Sequence, residues 1–135
     1  MHKVRIIKKG IENFKPIDIV KIKTAMENTV KRVNEEIIES ARMDYISKRK
    51  STDPVSLVID SMSYNIRHNG ELHIISTIFC DGSKAPHAIY VHEDRTLKNG
   101  ALWKGYKFLD AGASEKIHLL YDFFYEELDT VGGKL

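Results

Sequence analysis

Between Pro16 and Lys50 the apolar residues Ile22, Met26, Val30, Val33, Ile37 and Ala41 recur at steps of three or four, with lysines and glutamates between them. That period belongs to one face of an α-helix, so the segment predicts a long amphipathic helix with its apolar stripe on a core. Pro16 suits the first turn, where a missing N–H leaves no bond unmade, and Lys48-Arg49-Lys50 suit the C-terminal end, where cations meet the last carbonyls. Ahead of this helix "KVRII" predicts a short strand, with its exit at Lys8, Lys9 and Gly10. After it, "STDPVSLVIDSM" predicts a short helix with Asp53 as N-cap and Pro54 as its first residue. "SYNIRHNGELHIISTIFCD" predicts a hairpin closed by Asn69-Gly70, the two positive-φ residues of a type I′ turn. "APHAIYVHED" fits a short helix or a strand, and "RTLKNGALWKGY" predicts a loop with a second turn at Asn99-Gly100. Helical spacing returns at Leu109, Ala113, Ile117, Leu120, Phe124 and Leu128, closed by Gly132-Gly133. Leu119 and Phe123 widen that last stripe, which predicts either a broad core or a face covered by another subunit.

The order of elements predicts an α+β fold: a small antiparallel β-sheet with a central hairpin, packed against a long N-terminal helix and a C-terminal helix. A chain of 135 residues is expected to form a single domain over 1–135. The formal charge of +2 gives no general case for binding nucleic acid or an anionic membrane. The charge is uneven, however: residues 1–68 hold 14 Lys+Arg against 9 Asp+Glu, and residues 69–135 hold 7 against 10. The first part is basic and the second acidic. Cys80 is the only cysteine, so an internal disulfide and a one-chain thiolate zinc cluster are excluded. No run approaches the ~18 apolar residues of a membrane span, and the N-terminus has no signal-peptide core. A soluble protein made in a cytoplasm, with no membrane partner, is expected.

The stretch "KAPHAIYVHED" has the densest candidate chemistry, with two histidines and an acidic pair around a short apolar core. His87 and His92 stand five residues apart, which places them ~140° apart on a helix and on opposite faces of a strand. Neither geometry converges on a metal. Ser83 in "CDGSKAP" lacks the glycines of a nucleophile elbow, and "DGSKAP" lacks the spacing of a phosphate-binding loop. Structural roles are expected for both Ser83 and Cys80, and no cofactor or metal is expected. The protein reads as a binding protein and not an enzyme; a hydrolase using His92 and Glu93 is the reading that loses. Lys48, Arg49 and Lys50 could face nucleic-acid phosphates, but the aromatic interleaving of a single-strand binder is absent there, and a solvated helix end is the favoured account of the run.

"APHAIYVHED" followed by "GYKFLDAGASE" resembles the tail-completion, or minor capsid, proteins of the head-to-tail junction of tailed bacteriophages. The matching motif positions are Ala88, Tyr90, Val91, His92 and Glu93, then Lys107, Phe108, Leu109 and Asp110 at the start of the last helix. The N-terminal strand with glycine, the long helix and the segment leading into the hairpin follow the same order. The chain departs from the family's Pro-x-x-Thr-Gly pattern before the hairpin, where Asp53-Pro54 stands instead. The resemblance implies a structural virion protein of the neck. It would form a homo-oligomeric ring of six or twelve copies between the portal-bound connector and the tail terminator or tail tube, and complete the channel for DNA. Tyr90 and Val91 would be core or near-core anchors, and His92 and Glu93 would bond backbone groups of the loop from Arg95 to Tyr106. Trp103, with Leu102 beside it, would either cap the monomer core or reach a neighbour, as would Leu119 and Phe123. Lys48, Arg49 and Lys50 would face DNA in the lumen or a neighbour's acidic part. A small nucleic-acid-binding module built on those three residues is the alternative.

Overall fold

The computed structural model describes residues 2–5, 16–49 and 56–131. Strand β1 is His2–Arg5, and the long helix α1 runs Pro16–Lys48, starting at the proline and ending at the basic run as its sequence requires. Helix α2 (Ser56–Ser61) leads directly into β2 (Met62–His68), which a short connection joins to β3 (His73–Cys80). Then follow α3 (Ala88–His92), β4 (Arg95–Thr96), β5 (Leu102–Trp103), α4 (Phe108–Lys116) and α5 (Leu120–Thr130). Strands β1, β3 and β2 form one sheet in that order, with β1 antiparallel to β3 and His2 opposite Ser76. The fold is α+β, as expected. Asp53, Pro54, Lys8, Lys9, Lys50 and Gly132-Gly133 lie outside the described residues.

The chain divides into two compact units. Of the described residues, one unit gathers those up to Glu35, Asn65–Thr77 and those from Ile117; the other holds those from Glu36 to Tyr64 and Ile78–Lys116. The chain passes between them inside α1, β2 and β3. In the first unit, Ile22, Met26 and Val30 of α1 meet Leu72 and Ile74, with Ile66, Leu120, Phe124 and Leu128 packed against them. Asn34 and Ser76 are buried there as a mutually satisfied pair, their side chains 2.7 and 3.0 Å apart at the two contacts. Satisfying buried polar groups in this way avoids a desolvation penalty of ~1–3 kcal/mol. In the second unit, Ile38, Ala41 and Tyr45 of α1 meet Val58, Met62, Ala85, Ala88 and Phe108. Tyr45 and Phe108 are fully buried, with ring centroids 5.2 Å apart edge to face. Burial of side chains this large stabilises by ~1.5–3 kcal/mol each.

Three local expectations are corrected. The β2–β3 connection has four residues, Asn69 to Leu72, and only Gly70 has positive φ, at 102°. The loop is longer than a type I′ turn because Leu72 is drawn into the core of the first unit, while the Asn69 N–H bonds the His73 carbonyl at 2.9 Å. The terminal helix is not continuous. A 3-10 turn at Ile117–Leu119 separates α4 from α5, and the boundary between the two units falls at the same place. The expected loop from Arg95 to Tyr106 contains a small antiparallel ribbon, with Arg95 opposite Trp103 and Thr96 opposite Leu102. Its turn lies where the second Asn-Gly predicts it: Gly100 has φ 83°, and Asn99 Oδ1 accepts the Ala101 N–H at 3.0 Å.

Candidate functional site

The stretch with the densest chemistry folds as one tie between α3, the β4–β5 hairpin and α4, all in the second unit. It starts from a turn that the sequence builds locally. Asp81 Oδ1 accepts both the N–H and the hydroxyl of Ser83, at 2.9 and 2.7 Å, and the Asp81 carbonyl accepts the Lys84 and Ala85 N–H groups. The Ser83 hydroxyl, followed by its N–H, holds the Asp81 carboxyl below its usual range. Burial pushes the neighbouring Cys80 thiol up, away from nucleophilic use.

Helix α3 turns Ala88 and His92 inward, leaves Val91 half-buried and puts Tyr90 outside at 55% exposure. The His92 ring stands edge-on to Phe108, with centroids 4.7 Å apart. Its Nδ1 lies 2.9 Å from Glu93 Oε1, and the Leu109 N–H points at its Nε2 from 3.3 Å. One neutral tautomer satisfies both contacts: Nδ1–H donates to the carboxylate and the Nε2 lone pair accepts from the backbone. Leu109 belongs to the first turn of α4, whose N–H groups have no helical acceptor. His92 supplies one from another element.

The reason lies in Lys107. It occupies the position before α4, where its carbonyl accepts the Ala111 N–H at 3.0 Å, but a lysine side chain cannot cap as serine or aspartate does. Its φ of 50° is the only positive value at a non-glycine position among the described residues. Two further main-chain bonds close the base of the hairpin: Tyr106 N–H to the Val91 carbonyl at 2.9 Å and Lys107 N–H to the His92 carbonyl at 3.0 Å. Asp94 completes the closure, with Oδ1 accepting the Gly105 N–H at 2.7 Å and Oδ2 lying 3.6 Å from Lys107 Nζ. The Gly105 bond, followed by the nearby lysine charges, holds the Asp94 carboxyl below its usual range. Gly105 itself is required, because a Cβ there would lie 2.1 Å from the His92 carbonyl oxygen.

The sequence reading of this stretch is therefore half corrected. Tyr90 is not a core anchor; it is exposed, with the Arg95 guanidinium 5.4 Å from its ring centroid. His92 is buried but bonds the start of α4 and not the loop, and Glu93 bonds His92. The loop is held by Asp94 and Gly105, which the sequence reading passed over. An acid immediately before the ribbon and a glycine immediately before the helix-opening "YKF" were the available signals. Val91, Phe108 and Leu109 pack in or against the core as expected, and Lys107 opens the helix.

The other candidates separate. Leu102 is 71% exposed, while Trp103 is half-buried, 5.5 Å from the Tyr106 ring and 5.9 Å from the Arg95 guanidinium. Leu119 and Phe123 are half-buried in the first unit, where Arg32 lies over the Phe123 ring at 3.9 Å. Lys48 does not project as a free cation: its Nζ lies 2.9 Å from Asp44 and 3.0 Å from the Tyr106 carbonyl. Arg49 is half-buried. Among the described residues no three His, Cys, Asp or Glu side chains converge as a metal site, and no helix is long and apolar enough to cross a membrane. Comparison with protein-family models, curated proteins and solved structures returns no match for this chain.

Proposed function

We propose that this chain is a structural subunit of the head-to-tail joint of a tailed bacteriophage. In this reading it assembles with copies of itself into a ring between the portal-bound connector and the tail, and the ring lines part of the DNA channel of the virion. The reading rests on the motif resemblance, and the observation that supports it best is the commitment of His92. Both of its ring nitrogens are engaged inside the fold, and Glu93 and Asp94 are engaged with it and with Gly105. General acid–base catalysis requires a group that can reach a substrate proton. Residues committed in this way instead hold out a surface, here the exposed Tyr90 of α3 and Leu102 of the hairpin. The rival reading, a nucleic-acid module at Lys48 and Arg49, is weakened by the pairing of Lys48 with Asp44 and the Tyr106 carbonyl.

Deleting the gene from the phage genome that encodes it and imaging the lysate tests the reading. Full heads beside unattached tails, restored to joined particles by complementation, are expected. Intact infectious particles from the deletion would overturn it.

A further inference from the structure

Helix α5 holds Asp122, Glu126, Glu127 and Asp129 and no lysine or arginine. Its exposed positions include Tyr121, Asp122, Tyr125, Glu126 and Asp129, a spacing that puts them on one side of the helix. Tyr121 and Tyr125 are 71% and 65% exposed. Arg32 draws on Glu126 and Glu127, whereas Asp122 and Asp129 make no ion pair among the described residues. At ~100° per residue the two tyrosines lie along one side of this face, and Asp129, Asp122 and Glu126 lie along the other.

The β4–β5 hairpin carries the opposite sign of charge. Residues 95–107 contain Arg95, Lys98, Lys104 and Lys107 and no acid. Lys107 is held by Asp94, but Lys98 and Lys104 are exposed and make no ion pair among the described residues. Leu102 on this hairpin is exposed, and so is Tyr90 of α3, with the Arg95 guanidinium over its ring. Tyrosine and arginine are enriched at the energetic centres of protein interfaces, and charges at the edge set the partner and the encounter rate.

We propose that the Tyr121–Tyr125 face of α5 in one copy docks on the β4–β5 hairpin of a second copy, with Asp122 and Asp129 facing Lys98 and Lys104. The proposal rests on the self-assembly part of the neck reading and names the two surfaces. Complementary charge favours a second copy over other occupants. A nucleic acid would suit the hairpin but be repelled by α5, and an acidic protein would likewise leave the tyrosine face uncovered. Because the two faces differ, each copy uses both, and the contact propagates head to tail into a ring or a filament. One helix face on one short hairpin falls below the ~1,000 Å² of a stable interface, so association is weak in isolation and sensitive to salt.

Sedimentation velocity of the full chain at up to ~1 mM, in ~50 and ~500 mM salt, tests the contact. Species larger than a dimer are expected at low salt and are expected to be lost at high salt. The variants Lys98→Glu/Lys104→Glu and Tyr121→Ser/Tyr125→Ser, checked for native circular dichroism, should each weaken self-association at least ~tenfold. Mixed together, each supplies one intact face, so they should form a one-to-one pair and nothing larger. A wild type that stays monomeric at low salt, association indifferent to both variants, or a mixture that forms no pair would overturn the proposal. So would a single-stranded oligonucleotide whose binding Lys98→Glu/Lys104→Glu abolishes while self-association is unchanged. Self-association through these faces with normal joining in the gene deletion would overturn the neck setting alone. Failed joining with indifferent variants would overturn this contact alone.

Discussion

His92 acts on α4 as an N-cap side chain ordinarily does, from another element and with a ring nitrogen in place of a hydroxyl or carboxylate oxygen. Replacing it by alanine leaves the Leu109 N–H without an acceptor and opens space beside Phe108. His92→Ala is therefore expected to lower unfolding free energy by about 2–4 kcal/mol in urea titrations, and a loss below ~0.5 kcal/mol would contradict the capping role. Asp94 gives a pH signature. Its lowered folded-state pKa means that the unfolded chain binds its proton first as pH falls. Its contribution is thus complete above the usual carboxylate value of ~4 and is lost as pH drops through that value towards the folded one. Asp81 acts in the same direction. Melting temperature should decline on acidification in that window. Asp94→Asn, which keeps an acceptor for Gly105, should flatten the Asp94 part of the decline. His92 and Glu93 stand out in the sequence by residue type, but their partners could not be read there. The choice between strand and helix for "APHAIYVHED" was open, and without it the phase that turns His92 in and Tyr90 out is undefined.

At the scale of elements, the close approach of α4 to α1 depends on Gly112. A Cβ at that position would lie 2.5 Å from the Ile37 carbonyl oxygen and 2.9 Å from the Ala41 nitrogen, both main-chain atoms that cannot rotate away. Alanine favours a helix over glycine by ~1 kcal/mol, and overpacking against backbone costs ~1–3 kcal/mol or more. The clash wins. Gly112→Ala should destabilise by about 1–2 kcal/mol net, read as a lower urea midpoint; a stabilised variant would show that α4 can shift outward freely. The small run Ala111-Gly112-Ala113 was the visible hint. The break after α4 was not visible, because steps of three and four residues suit both a continuous α-helix and one interrupted by a 3-10 turn. Helix α1 was fully legible, since Ile22, Met26, Val30, Val33, Ile37 and Ala41 are all buried. A long element with an unbroken period leaves little for distant contacts to override.

For the whole molecule, the two hydrophobic clusters share no residue, although α1 contributes to both. Ile74→Val in one and Phe108→Leu in the other should each cost ~1 kcal/mol, and the double variant should match the sum within ~0.5 kcal/mol. A larger coupling energy in the double-mutant cycle would show that the clusters act as one. The charge imbalance between the two halves of the sequence does not correspond to these units, because the chain passes between them within α1, β2 and β3. Counting along the chain averages over faces. The charge asymmetry that matters is local: four cations in residues 95–107 and four carboxylates in α5. Neither surface could be defined before the loop was known to hold a ribbon and the last helix to be broken.

The bonds from Gly105, Tyr106 and Lys107 back to Asp94, Val91 and His92 shut the ribbon off at its root. Whatever lies beyond that closure can change length without disturbing α3 or α4, and a doubled loop costs only ~0.6 kcal/mol in closure entropy. The tip at Asn99-Gly100 is thus a place where the chain can be lengthened, shortened or fitted with a foreign peptide while its fold stands. Over evolutionary time it is also where a new neighbour could be met by changing a few residues.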